Sequence, residues 1–186
     1  MQGELIMINK DLELQWSMTY YEQLIYLKEK YGRVSKNYFC NQMCKSKSPG
    51  ITRTSEGLFI HHDYEYDPED NRVCDLSKPL NAKLWPWKYQ LAENLTYCNW
   101  LEHLMLHIKI NLLRYKQLGF YVNDGVVNYL VPDLNRFYTY QADPTLTPTW
   151  QLACFTVVED YYEDYCFMMS EWCKAINCPD YNWKKL

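Results

Sequence analysis

The chain has 186 residues, of which 48% are hydrophobic and 17% aromatic, and its formal net charge is −4. This length predicts one domain of ordinary size with appended pieces, and the apolar share predicts a hydrophobic core. No run approaches the roughly 18 apolar residues of a membrane span. The first ten residues lack the basic and apolar regions of a secretory signal. We therefore expect a cytoplasmic protein with no membrane partner.

Charge is distributed unevenly along the chain. Residues 28–53 contain seven basic side chains and one acid, so seven minus one gives +6. Residues 138–180 contain one basic side chain and seven acids, which gives −6. A negative total is unfavourable for a nucleic-acid enzyme, but a basic segment of this kind is typical of the surfaces that contact phosphates.

The N-terminal segment predicts a short strand at 4–8 and a helix over 13–31, which ends at Gly32. A basic connector with a Pro-Gly turn follows. It is typical either of a solvated loop or of a loop that contacts phosphates without reading base sequence. On the second interpretation, the nucleic-acid-binding residues are Lys36, Lys45, Lys47 and Arg53. Arg53 is the first candidate because it lies nearest in sequence to the histidine pair described next.

A short apolar run at 57–60 predicts a strand that ends in His61-His62. The following segment, 63–93, contains a short helical turn and reads as an insert between two strands. Its first part is rich in carboxylates, namely Asp63, Glu65, Asp67, Glu69 and Asp70. One of them could reach a metal ion, but a solvated acidic loop is favoured.

The next stretch predicts a strand, a turn and the start of a long helix. Asn99 is a good N-cap, and Glu102 stands three residues later, where a capping box needs an acceptor. Apolar residues then recur at helical spacing until Gly119, which predicts the end of the helix. His103 and His107 lie four residues apart, so both project from one face of its first two turns.

All four histidines of the chain fall in these two places. An adjacent pair at a strand end and an i,i+4 pair on a helix together predict a metal site, although either pair alone is often incidental. A metalloprotease is disfavoured because the segment from His103 to His107 lacks the glutamate of the His-Glu-x-x-His motif.

With Asn94 nine residues before His103, the pattern resembles the HNH endonucleases, the ββα-metal or His-Me finger class, and in particular the DNase domains of bacterial colicins. The resemblance covers about residues 53–110. It implies that His61, His103 and His107 bind one divalent metal ion. It also implies that His62 is the general base that activates water, and that Asn94 fixes the loop that orients His62. The separation of 31 residues between His62 and Asn94 exceeds what is usual in the family.

These residue types suit phosphodiester hydrolysis. A metal ion acts as a Lewis acid at the phosphate, and a neutral imidazole can accept the proton of the attacking water. Imidazole ligands accept several metals, so the sequence leaves Mg, Mn, Ni and Zn open as the cofactor.

The predicted fold class is therefore α+β, with a small ββα-metal core wrapped by an N-terminal helix and a C-terminal helical part. The predicted divisions are 1–52, 53–118 with the insert 63–93, and 119–186. In the last division, Pro148 predicts the start of one helix that reaches 158, and a second helix is expected over 160–176.

Three functions remain open from the sequence. The first is a metal-dependent endonuclease acting on DNA or RNA. The second is a phage or mobile-element inhibitor of host defence, such as an anti-CRISPR protein that docks on Cas9 and either cleaves its guide RNA or only occupies the effector. In that case the acidic, tyrosine-rich segment 159–165 would face a basic groove of the partner. The third is a structural zinc-bound adaptor without catalysis.

Overall fold

The computed structural model describes residues 6–67, 75–119 and 125–186. Within these ranges the α-helices are α1 (Lys10–Ser17), α2 (Tyr20–Tyr31), α3 (Pro79–Ala82), α4 (Trp100–Leu118), α5 (Val131–Tyr138), α6 (Thr149–Thr156) and α7 (Tyr162–Ala175). The strands are β1 (Phe59–His62) and β2 (Leu95–Cys98), and a π-helical turn, Val126–Leu130, leads into α5. This mixture of helices with a small sheet agrees with the predicted α+β class.

The helix predicted over 13–31 is interrupted, so that prediction was wrong at its middle. Met18 has extended backbone with ψ of 151°. Thr19 then caps α2 through a hydrogen bond from the backbone N–H of Glu22, whose side chain accepts from the backbone N–H of Thr19. This capping box begins a new helix inside an apolar pattern that continues across the break. Gly32 ends α2 as predicted, with φ of 80°.

The predicted strand at 4–8 begins outside the described residues, and no strand forms over residues 6–8. In the acidic stretch after the histidine pair, Glu69 and Asp70 also lie outside the described residues.

Helix α4 has the boundaries that its sequence predicts. The Asn99 side chain accepts a hydrogen bond from the backbone N–H of Glu102, and the Glu102 carboxylate accepts one from the backbone N–H of Asn99. Gly119 ends the helix in the left-handed conformation, with φ of 72°. Both strong local signals therefore act as expected.

The strands β1 and β2 pair in antiparallel register, with His61 opposite Thr96 and His62 opposite Leu95. A single residue, Asn99, separates β2 from α4, and α4 contacts both strands. Neighbouring residues of a strand point to opposite faces. His61 consequently faces the first turns of α4, whereas the ring of His62 packs at a centroid distance of 4.4 Å from Tyr38.

The C-terminal helices pack against α4 and form the main hydrophobic core with it. Large buried side chains of this core include Trp100, Tyr165 and Trp172. The carboxylate of Asp164 on α7 is buried and accepts hydrogen bonds from the backbone N–H groups of Ile8 and Asn9, which attaches the N-terminal segment. Among the described residues, no helix is both long enough and apolar enough to cross a membrane.

Candidate metal centre

Three of the four histidines meet where α4 crosses the sheet. One nitrogen from each of His61, His103 and His107 lies within 4.8 Å of the other two. The Nε2 atoms of His103 and His107 are 3.2 Å apart. Two nitrogens bound to one tetrahedral zinc ion at 2.0–2.1 Å would be about 3.3 Å apart. The helix therefore presents this pair at the spacing that a metal ion requires.

The orientation of His61 is set by a hydroxyl group. The Oη atom of Tyr20 lies 2.9 Å from Nε2 of His61 and donates its proton to the backbone carbonyl of Asp63, also at 2.9 Å. Because a hydroxyl has one proton, Nε2–H of His61 donates to Tyr20 and leaves a lone pair on Nδ1. Nδ1 is buried and has no hydrogen-bond partner within the described ranges. Metal-binding imidazoles are usually held in this way through the other ring nitrogen.

Burial and neighbouring groups keep the imidazoles of His61 and His103 neutral. Burial lowers the pKa of His61 well below its usual value, and the neighbouring His107 and His103 lower it further, although Glu65 opposes the shift. Burial and then His107 lower the pKa of His103 to about 3. Both rings are consequently unprotonated at neutral pH, which is the form that binds metal ions.

Glu65 joins the cluster, contrary to the solvated loop expected from its acidic neighbours. A 3₁₀ turn, Asp63–Glu65, follows β1 and buries the Glu65 carboxylate. Its Oε2 lies 3.2 Å from Nε2 of His107 and 3.9 Å from Nδ1 of His61. Burial raises the pKa of Glu65, but interactions with the rings of His107 and His62 outweigh it and hold the pKa well below the usual value. Glu65 is thus an ionised carboxylate at the candidate metal centre.

His62, the predicted general base, lies behind this carboxylate. Its ring is fully buried, with Nδ1 3.6 Å from Oε1 of Glu65 and Nε2 3.2 Å from Oε1 of Gln90. The ring is not among the groups that line the cleft described below. Any proton transfer between His62 and the cleft would therefore involve Glu65.

Asn94 stands directly before β2 and donates a hydrogen bond of 2.7 Å to the backbone carbonyl of Lys88. Lys88 belongs to the 3₁₀ turn Trp87–Gln90, whose last residue contacts His62. The hydrogen bond between Asn94 and Lys88 therefore lies in the loop that Asn94 is predicted to fix. That this bond orients His62 stays a prediction.

A cleft with a volume of about 940 Å³ opens over the histidines. His103, His107 and Glu65 line it together with aromatic rings from several elements. Its other charged lining residues are Lys47, Lys78, Arg114 and Asp75. Among the described residues, three cations less two carboxylates give the lining of the cleft a charge of +1, in contrast to the negative total of the chain. A cleft of this size and composition is suited to a small or extended anionic ligand.

Of the four basic residues predicted to bind nucleic acid, Lys47 is the one that lines this cleft. Arg53 instead donates to Glu56 and, at 2.8 Å, to the backbone carbonyl of Tyr31, so its guanidinium is engaged within the fold. Lys36 donates to the carbonyl of Pro49, and Lys45 is exposed.

Three residues of this region received no functional assignment from the sequence. Tyr20 falls within the helix predicted over 13–31, and Arg114 and Gly125 were given no role in a site. A Cβ atom added to Gly125 would lie 2.6 Å from Nδ1 of His107, so the absence of a side chain there makes room for the ring. The roles of all three depend on contacts between distant segments, for which a single sequence carries no local signal.

Comparison with known proteins gives no match, because no family model, curated protein or solved structure is significantly similar to this chain.

Proposed function

We propose that this protein is a metal-dependent endonuclease that hydrolyses phosphodiester bonds of nucleic acid in the cleft above the histidines. His61, His103 and His107 bind one divalent ion. Glu65, with His62 behind it, accepts a proton from the attacking water. The resemblance to HNH nucleases supports this proposal, as does the order of two antiparallel strands and a helix around the histidines.

The convergence of three imidazoles, two of which line a cationic cleft, is the observation that carries the proposal. The buried Nδ1 atom of His61 has no hydrogen-bond partner within the described ranges, and burying such an atom is costly unless a ligand satisfies it. The rings of His61 and His103 are neutral, which makes a metal ion the fitting ligand. An open cleft beside the cluster gives a substrate access to that ion, as catalytic sites require.

A bound divalent ion would supply Lewis acidity at the phosphate and lower the pKa of a water ligand. The chain's own groups do the rest. Glu65 is ionised and lines the cleft, so it is the group placed to take the water proton as oxygen attacks phosphorus. The bond from phosphorus to the leaving oxygen then breaks, and solvent protonates that oxygen. Lys47 and Arg114 line the cleft and can neutralise phosphate charge.

The test combines metal binding with hydrolysis. Wild type, His103→Ala, Glu65→Gln and His62→Ala are titrated with Mg, Mn, Ni and Zn by calorimetry. Each is then assayed on plasmid, single-stranded DNA and structured RNA, with and without Cas9 and its guide. We expect His103→Ala to lose metal affinity and activity. Glu65→Gln should lose at least about 100-fold in rate, the typical contribution of a general base, with metal affinity changed less than about tenfold.

Glu93→Gln serves as the matched control, because Glu93 is an exposed acid before β2 and lies outside the cleft. It should retain both metal affinity and rate. Circular dichroism of each variant separates loss of function from unfolding. Wild type that binds no metal, or that binds metal and cleaves none of the substrates, contradicts the proposal.

A structural zinc site is the second candidate, and the position of Glu65 favours it. With Glu65, the three histidines provide four ligands for one ion, and structural zinc sites are closed, four-coordinate sites. In that case Glu65→Gln would lower zinc affinity strongly, and a chelator would destabilise a wild type that has no hydrolytic activity. The same set of variants therefore distinguishes the two functions.

A further inference from the structure

Arg114 lies on the same face of α4 as the metal-binding pair. It follows His107 by seven residues and His103 by eleven, which brings it back to nearly the same angle around the helix. At 1.5 Å per residue, its Cα is about 10 Å further along the axis than that of His107. Side chains on a helix lean toward its N-terminus, so the guanidinium extends back toward the histidines. The position of Arg114 in the lining of the cleft agrees with this direction.

Among the described residues, no carboxylate lies within ion-pair distance of Arg114, and its Nε is buried without a hydrogen-bond partner. Lys78, in comparison, pairs with Asp75 at 3.3 Å and donates to the hydroxyl of Tyr129. A guanidinium stays charged at any ordinary pH, and burying part of it unpaired costs free energy. The arrangement is accounted for if an external anion binds there.

Two exposed aromatic rings stand on the same cleft. Trp150, at the start of α6, is 45% exposed, and Tyr129 is 52% exposed. Large rings exposed at a cationic groove are the feature on which unpaired bases stack. Lys78 lies over the Tyr129 ring, at 4.9 Å from its centroid, which leaves Trp150 as the ring for stacking. Bases within a duplex are stacked on each other, so Trp150 is available to a single strand and of little use to a double helix.

We infer that the cleft binds single-stranded nucleic acid, with Arg114 contacting a phosphate next to the one at the histidines and with Trp150 stacking on a base. This inference rests on the proposed function for the identity of the site. It extends that function by naming the strand form of the substrate and the residues that select it.

Binding is measured without metal, so that hydrolysis has no influence. A short fluorescein-labelled oligothymidylate is titrated in EDTA with wild type, Arg114→Gln and Lys116→Gln, and fluorescence anisotropy is followed at several salt concentrations. Lys116 is the matched control, since it is an exposed cation two residues further along α4 and outside the cleft. We expect Arg114→Gln to bind at least fivefold more weakly. Its plot of log K against log salt should be shallower by about 0.7, the loss of one phosphate contact.

Two further variants keep the result interpretable. Arg114→Lys preserves the charge and should keep most of the salt dependence, even if Arg114→Gln disturbs the helix. Trp150→Ala should weaken binding at least about fivefold with an unchanged salt dependence, since stacking is not an ionic contact. The same oligonucleotide annealed to oligoadenylate should bind more weakly than the single strand.

The inference is overturned if wild type does not bind the strand, if Arg114→Gln and Lys116→Gln behave alike, or if the duplex binds as tightly. Its failure is distinguishable from failure of the proposed function. If the protein hydrolyses nucleic acid and Arg114→Gln has no effect on binding, the proposed nuclease function holds and the inference about Arg114 fails. If the protein binds the strand through Arg114 but hydrolyses nothing with any metal, it is a single-strand-binding protein and the proposed nuclease function fails.

Discussion

Tyr20 contributes one hydroxyl to the candidate metal centre and is not among the residues that line the cleft. The hydroxyl bonds Nε2 of His61 and leaves Nδ1 as the free ring nitrogen, 3.9 Å from Oε2 of Glu65. Tyr20→Phe removes this bond and lets the ring change tautomer and rotate. Because such supporting contacts typically change metal affinity 10- to 100-fold, we expect zinc affinity to fall by roughly that factor. Competition with a chromogenic zinc chelator measures the change.

Tyr21→Phe is the control for that variant, since the neighbouring ring is 47% exposed and removal of its hydroxyl should leave zinc affinity unaltered. Equal affinities for Tyr20→Phe and wild type would show that His61 is held by packing alone.

Gly125 determines whether the ring of His107 fits its place. Its backbone is helical, with φ of −54° and ψ of −28°, so alanine would ordinarily be favoured over glycine by about 1 kcal/mol. The added Cβ would, however, meet Cε1 of His107 at 2.7 Å. We expect Gly125→Ala to lower zinc affinity at least tenfold, because the ring must move from its ligand position.

The matched control for Gly125→Ala is Gly50→Ala. Gly50 has φ of 66° and open space around it, so its substitution adds only backbone strain. It should lower the unfolding temperature and leave zinc affinity unchanged. If both variants bind zinc equally, the contact with His107 has no consequence for the site.

At the scale of elements, Glu102 connects α4 to the two N-terminal helices. One carboxylate oxygen caps α4, and the other accepts hydrogen bonds from Gln15, Lys30 and Tyr31. Burial lowers the pKa of Lys30, but attraction to Glu102 and hydrogen bonding to Asp11 outweigh it and raise the pKa. Glu102 itself is fully buried.

Glu102→Gln replaces the acceptor of three donors with an amide and leaves Lys30 without its buried partner. Losing one member of such a network should lower the free energy of unfolding by about 2–4 kcal/mol. Urea unfolding followed by tryptophan fluorescence measures this. Glu22→Gln is the comparison, since Glu22 holds the same capping position in α2 but is exposed. The decrease in the free energy of unfolding should be much smaller for Glu22→Gln than for Glu102→Gln. Equal losses of unfolding free energy in the two variants would show that Glu102 contributes only as the capping residue of α4.

The elements that the sequence predicts well are those with local signals. Asn99, Glu102 and Gly119 define α4 by contacts within a few residues, and periodicity identifies its buried face. The break before Thr19 had a local signal as well, its capping box with Glu22, but the apolar period continued across it and led to one long helix. Where two local signals conflict, a single sequence does not show which one prevails.

The candidate site could be predicted in part because the chain has only four histidines, so their grouping in the sequence is informative. His61, His103 and His107 were grouped by residue type and spacing, and the structure brings them together. Glu65 was not distinguished from the acids around it, because its burial depends on a turn after β1 that positions it against α4. Arg114 gave no signal either, since a lone cation in a helix is ordinarily solvated. The cleft that it lines is formed with residues of α3, the π-helical turn and α6.

At the scale of the whole molecule, the candidate metal centre connects segments that are far apart in sequence. β1 supplies His61, α4 supplies two histidines, and α2 supplies the hydroxyl that holds His61. A ligand that binds the folded protein alone stabilises it in proportion to ln(1 + [L]/Kd). Metal binding at this cluster should therefore stabilise the global fold.

The same cluster makes the metal-free protein sensitive to acid. In the unfolded chain, histidine has a pKa of about 6.5. In the folded chain, burial lowers the pKa of His103 to about 3 and shifts His61 in the same direction. Below pH 6.5 the unfolded state therefore binds more protons than the folded state, so the free energy of unfolding decreases as pH falls. This stability is present above pH 6.5 and is lost progressively toward pH 3.

Between pH 7 and pH 5, His103 alone should cost the metal-free protein about 2 kcal/mol, and His61 adds a loss of the same sign. Urea unfolding in EDTA at both pH values measures it, and His103→Asn should lose about 2 kcal/mol less over that interval than wild type. The window stays above the pKa of ordinary carboxylates, so acid protonation of Asp and Glu contributes little.

With saturating zinc, the free energy of unfolding at pH 7 should be higher than in EDTA and should fall more steeply as the pH decreases, because protons and metal compete for the same nitrogens. A wild type whose stability is equal at pH 7 and pH 5 in EDTA would show that these imidazoles are solvated in the folded protein and do not form a buried cluster.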